Sequence, residues 1–154
     1  MGIAPMRILY VYGMAETKDI PITLRKMGYK VEEYPKVQEN SILNDEETEA
    51  IVAYVKRHRI THLMSIHLIY NLALSAYKAE IKYVSVIWDA PYIKIFSPFG
   101  RLTSSYFSVF DRLDQERFRS AGIPHTMYQP LAVNKSDVLA WSRNARKVLA
   151  GTYI

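Results

Sequence analysis

The 154-residue sequence has no cysteine, which removes disulfide scaffolds, thiolate metal sites, iron–sulfur clusters and cysteine nucleophiles together. Whatever chemistry the chain supports runs on oxygen and nitrogen. Glycine is scarce, six in all, and only one stands in the turn YGMAETKD after the first strand-like run. The G-x-G-x-x-G fingerprint is therefore missing and no Walker lysine loop occurs, which argues against tight pyrophosphate binding of the dehydrogenase or P-loop kind. There is no G-x-S-x-G elbow, and Ser65, Ser85 and Ser108 fall within strand-like runs, so a serine triad has no support. The histidines at positions 58, 62, 67 and 125 follow no metal-binding spacing, and no metal or resident cofactor is expected. The opening apolar run, RILYVY, is too short for a secretory h-region or a membrane span, and position 6 is Met where a myristoylation signal needs Ser or Thr. A cytoplasmic protein with no membrane span is expected.

What is present is enough apolar material for one core. Hydrophobic residues make up 49% and charged residues 23% of the chain. A domain of this size buries roughly 68–70% of its unfolded surface and needs no staple. The net charge of +5 comes wholly from residues 78–154, where Lys78, Lys82, Lys94, Arg101, Arg112, Arg117 and Arg119 precede the group Arg143, Arg146 and Lys147. Acids are scattered among them. A solvated surface is the plain reading and an anion-binding face the sharper one, but the charge is too diffuse to predict a nucleic-acid partner.

Along the chain, strand and helix signals alternate. Strands are expected at 7–12, 29–34, 62–66, 83–88, 105–110 and 125–129. Between them come a helix with Ile20, Leu24 and Met27 on one face, with Asp19 as N-cap or first-turn acid and Gly28 as its stop, then one opened by Asn44 and three acids and closed by Lys56, Arg57 and Arg59. A nearly all-apolar helix follows over 69–79, then an irregular stretch over 89–103, then a helix over 112–121 closed by Gly122. Beyond the last strand, Ser136 and Asp137 cap an amphipathic helix with Val138, Trp141, Ala145 and Val148 on one face. The YVSVIW strand has almost no polar face, as suits a strand covered on both sides. Alternation of this kind implies βαβ units, and the expected fold is an α/β, Rossmann-like three-layer domain with a parallel sheet of about six strands.

In such sheets ligands bind outside the carboxyl ends of the strands, where the strand order reverses. That selects Gly13 and Met14 after strand one, His67 after strand three, Asp89, Ala90 and Pro91 after strand four, Asp111 and Arg112 after strand five, and 130–134, ending in Asn134, after strand six. If the order is 3-2-1-4-5-6, the Gly13 turn and the Trp88 to Pro91 segment flank one crevice. Asp89, stiffened by Pro91, is either a general base and hydroxyl contact or a loop cap. Asp111 fits a helix N-cap better than a ligand contact, and His67 is either a satisfied rim histidine or a catalytic one. Of the twelve tyrosines, those on strands read mainly as core packing, while Tyr70 and Tyr92 are expected at the rim.

The segment IKYVSVIWDAPYIKIFSP, followed by YFSVFDRLDQERFRSAGIPHTMYQPLAVN, resembles the N-terminal domain of CgeB-type glycosyltransferases. The ordered matches are Trp88, Asp89, Ala90 and Pro91, then Phe110 and Asp111, Ala121 and Gly122, and Pro130, Leu131, Ala132 and Asn134. The earlier chain resembles the family more loosely, through RILYVYG, through Lys26, Gly28, Tyr29 and Val31, and through Ser65 to His67. The resemblance implies one half of a GT-B enzyme, the acceptor side, spanning residues 1–134, with 135–154 a terminal helix or the start of an interdomain connection. It implies a small-molecule or glycan acceptor, no metal, a nucleotide-sugar donor gripped mainly by a second Rossmann-like domain or partner chain, and no turnover by this chain alone. Asp89 is then the base or acceptor contact, with His67 a lesser catalytic candidate and Gly13, Met14, Pro91, Asp111 and Asn134 lining the substrate side. The alternative expectation is a non-catalytic Rossmann-like binding or assembly module.

Overall fold

The computed structural model describes residues 5–13, 17–35, 37 and 43–131. Met14, Asn134 and the expected C-terminal helix lie outside the described residues. The elements are β1 (Arg7–Val11), α1 (Asp19–Lys26), β2 (Lys30–Tyr34), α2 (Asp45–His58), β3 (His62–Ile66), α3 (Tyr70–Lys78) and β4 (Lys82–Ile87). Two 3-10 turns, Ile93–Phe96 and Pro98–Arg101, then lead to β5 (Ser105–Val109), α4 (Arg112–Ser120) and β6 (Thr126–Tyr128). All six strands join one parallel sheet in the order β2-β1-β3-β4-β5-β6. The fold is a Rossmann-like α/β three-layer domain.

This order corrects the 3-2-1-4-5-6 arrangement considered from the sequence. The reversal falls between β1 and β3, and β2 is an edge strand. Its sequence explains why, because KVEEY carries Lys30, Glu32 and Glu33, whereas a strand inside a parallel sheet is covered on both faces and runs near-continuously apolar. β1 meets that condition, with Ile8, Leu9, Tyr10 and Val11 no more than 4% exposed. It therefore takes the inner position between β2 and β3.

The main core lies on one face of the sheet, where Leu9, Leu63, Tyr83 and Phe107 meet Ile51 and Val55 of α2, Leu72 and Ala76 of α3, and Phe118 of α4. Each of the larger aliphatic and phenylalanine side chains, fully buried, contributes about 1.5–3 kcal/mol. Right-handed crossovers dictate this arrangement: from β2 onward the chain advances in one direction across the sheet, so α2, α3 and α4 share a face. Only the β1-to-β2 step runs backward, and α1 crosses the other face, where the Arg25 guanidinium lies 2.6 Å from Glu33, the register neighbour of Tyr10. β4 is covered more closely on the face it shares with α2, α3 and α4 than on the other. Tyr83, Ser85 and Ile87 are buried, but Val84 and Val86 are half-buried.

Local signals explain several helix ends. Asn44 caps α2, its side-chain oxygen accepting the Glu47 amide at 3.1 Å. Gly28 and Gly122 sit just beyond α1 and α4 at φ +90° and +80°, conformations that suit a residue without Cβ. Asp19 is the first-turn acid of α1, following Lys18 at the N-cap, but the helix face differs from expectation: Pro21 is the buried residue and Met27 is exposed. One carbonyl on each edge strand is covered by side chains, Val31 by Arg25 and Thr126 by Gln115 and Arg119, which blunts both edges against strand addition. Among the described residues no helix is long and apolar enough to cross a membrane.

Edge strand β2 is tied to its neighbours through Glu32, whose carboxylate accepts from Arg7 at 2.9 Å, Tyr54 at 3.2 Å and His58 at 2.9 Å. The Arg7 hydrogen bond, with help from Tyr54 and His58, holds the Glu32 carboxyl below the usual carboxylate range. A lowered folded-state pKa gives stability that is present above the unfolded value and is lost as pH falls through the folded value. Replacing Glu32 by Gln should therefore cost on the order of 1 kcal/mol near neutral pH. Urea unfolding at a series of pH values should show that difference shrinking once the medium falls below the ordinary glutamate pKa.

Candidate functional site

The parallel ladder of β3 and β4 pairs Ser65 with Ser85 and Ile66 with Val86, and the His67 amide extends it by donating to the Val86 carbonyl at 2.9 Å. The two strand ends therefore lie side by side at the carboxyl edge. His67 follows β3 with φ +58°, a left-handed conformation that is uncommon outside glycine, although histidine is among the residues enriched there. Its ring stacks on Tyr92, with centroids 5.2 Å apart and planes 26° from parallel. Its Nε2 lies 3.4 Å from Oδ2 of Asp89. That is within ion-pair reach, yet Nε2 is buried and makes no aligned hydrogen bond among the described residues.

Asp89 follows β4 beyond Trp88, with its side chain 69% exposed against 17% for His67. A shielded imidazole thus faces a solvated carboxylate. Pro91 comes two residues later, after a cis Ala90–Pro91 bond, and is itself exposed. Gly13 is buried at the carboxyl end of β1. Because the order reverses between β1 and β3, the switch point is flanked by Gly13 and His67, and Asp89 belongs to it only by reaching back across the β3–β4 pair. The crevice expected between β1 and β4 is displaced by one strand.

Asp111 resolves toward the capping reading. It occupies the N-cap of α4 and accepts the Asp114 amide at 2.9 Å. Together with Asp89, Ala90 and Phe110 it borders a hollow between the ends of β4 and β5 that is too narrow to hold water. A roomier cleft of about 260 Å³ lies away from this edge, beside Tyr106, Arg119, His125 and Met127. Among the described residues no group of three or more His, Asp or Glu side chains is placed to hold a metal ion.

Three residues of the site escaped the sequence reading. Tyr92, expected at the rim, is 7% exposed, and Tyr83, assigned to packing, is fully buried with its hydroxyl bonded. Ser65, dismissed as a strand residue, donates to the His67 carbonyl at 2.9 Å. A signal for them existed. The segment SIHLIYN enters α3 without Ser, Thr, Asp or Asn at the cap, so its first amides need partners from elsewhere, and a buried tyrosine hydroxyl needs one too.

Neither a protein-family model nor a curated protein matches this chain. The site's reading therefore rests on its geometry.

Because Asp111 is engaged as a cap, Asp111→Ala should lower stability by about 1 kcal/mol. Denaturant titration should detect that loss, while the histidine ring resonances of His67 stay where they are in the parent protein.

Proposed function

We propose that this chain is the acceptor-side half of a sugar-transferring enzyme, and that its carboxyl edge holds the hydroxyl group that attacks. The observation that carries this reading is the His67–Asp89 pair, a solvated carboxylate 3.4 Å from a largely shielded imidazole beside the switch point of the sheet. It is supported by the positions of the motif residues: Trp88 to Pro91 follow β4 and Phe110 with Asp111 follows β5, both at the edge where open α/β sheets bind ligands.

In the proposed reaction the acceptor oxygen forms a bond to the anomeric carbon of a nucleotide sugar. The bond from that carbon to the phosphate oxygen breaks, and its electron pair leaves with the nucleotide. Asp89 takes the acceptor's proton, a role typically worth 10²–10⁴-fold in rate. His67 faces the carboxylate and limits its orientation. The hollow beside Asp89 is too narrow to enclose a ligand, so an acceptor lies on the rim and is covered when a second Rossmann-like domain or partner chain bearing the donor closes over it.

A second reading is favoured by a different observation. Trp88, Ile93 and Phe96 are 38%, 75% and 40% exposed on the loop after β4, three apolar side chains that another chain could cover in a non-catalytic assembly module. Concentration-dependent self-association in sedimentation, with no sugar bound, would favour this module.

Chemical-shift mapping with methyl glycosides should place the perturbed residues around His67, Asp89 and Tyr92. Asp89→Asn should weaken that binding roughly 10-fold or more, the scale of a hydrogen bond to a charged group, with little change in melting temperature because Asp89 is exposed. Perturbations elsewhere, or equal affinity in the variant, would remove Asp89 from the site.

A further inference from the structure

The turn between β3 and α3 has its backbone groups satisfied mainly by side chains rather than by neighbouring strands. Ile69 occupies the N-cap of α3 and makes no side-chain cap bond. Its amide donates instead to the Tyr83 hydroxyl at 3.0 Å, and the Leu68 amide donates to the Tyr92 hydroxyl at 3.0 Å. The His67 carbonyl lies 2.9 Å from the Ser65 hydroxyl and 3.0 Å from that of Tyr83, and those two hydroxyls are 2.6 Å apart. Two hydroxyl protons serve this cluster. Either both go to the carbonyl, or one hydroxyl donates to the carbonyl and receives the proton of the other. In both arrangements the Tyr83 oxygen keeps a lone pair for the Ile69 amide.

These bonds bear on one residue. A histidine at φ +58° is held against its own backbone preference, and the His67, Leu68 and Ile69 amides are all fixed by β4 or by the loop after it, with Ser65 and Tyr83 sharing the His67 carbonyl. Tyr92 acts twice, since its ring supports the imidazole while its hydroxyl holds the next amide. The same loop carries Asp89. Resting on the reading of His67 and Asp89 given above, we infer that Tyr83 and Tyr92 are positioning residues: they clamp the turn that holds Nε2 of His67 beside the Asp89 carboxylate, so that the two halves of the pair are set by one stretch of chain.

The test uses imidazole nitrogen resonances of the 154-residue protein at a single pH. In the parent, Asp89→Asn should move the His67 Nε2 resonance. In a Tyr92→Phe background the same substitution should move it less than half as far, whereas in a Tyr106→Phe background, remote from the turn, the response should be undiminished. Tyr83→Phe should act like Tyr92→Phe, and if that variant does not fold, Ser65→Ala tests the same carbonyl cradle. A full response in Tyr92→Phe, even with a lowered melting temperature, would reduce the tyrosine to a structural role and overturn the inference. So would a parent resonance that ignores Asp89→Asn. No sugar is needed for the measurement, so a protein that binds no glycoside would refute the proposed function without deciding this result.

Discussion

The parallel pairing of β3 with β4 is the constraint on which the carboxyl edge depends. It runs from His62 opposite Lys82 to Ile66 opposite Val86 and continues one step further through the His67 amide. That last bond ends the two strands nearly flush, and everything chemically distinctive then follows within a few residues of each end. A slip of one residue would put Tyr83 and Ser65 on opposite faces of the sheet, because successive side chains on a strand alternate. The hydroxyl cluster under the turn and the core on the same face would be lost together.

Burial of polar groups at this point is costly unless each is paired, and the structure meets the condition through a small set of hydroxyls. Tyr83 is fully buried, yet its ring packs among Leu63, Leu72 and Phe107 while its oxygen serves the turn. An aromatic ring with one polar end can belong to the core and to the rim at once. Phenylalanine would fill the same space and leave the Ile69 amide without its partner, a loss of about 1–3 kcal/mol for a buried donor. By contrast, Tyr10 is buried with no hydrogen-bond partner for its hydroxyl among the described residues, and burial with the nearby Tyr12 and Glu33 raises its pKa above the ordinary tyrosine value. Burial thus disfavours ionisation of one tyrosine and sets the bonding geometry of the other.

Much of this was legible in the order of residues. The third strand was read at His62–Ile66, and the cap at Asn44 with its acidic first turn was read correctly, because such signals depend on neighbours in sequence. Asp111 as a cap was legible for the same reason. The strand order was not read, although Lys30, Glu32 and Glu33 marked β2 as a poor inner strand; periodicity finds a strand without saying which strands flank it. The fate of Tyr92 was also hidden, since the chain returns it from the irregular stretch to stack on a histidine 25 positions earlier.

By itself the sequence determined the class of fold, the alternation of elements, the exclusion of thiol chemistry and the set of side chains standing at strand ends. Those properties follow from composition and from periods of two and 3.6 residues. Tertiary structure decided which strand ends are neighbours, and so moved the switch point to β1 and β3 and joined His67 to Asp89. It also decided that two tyrosine hydroxyls would accept the Leu68 and Ile69 amides at the entry to α3. Such choices arise from pairing and crossover direction between distant segments, and local sequence carries no direct record of them.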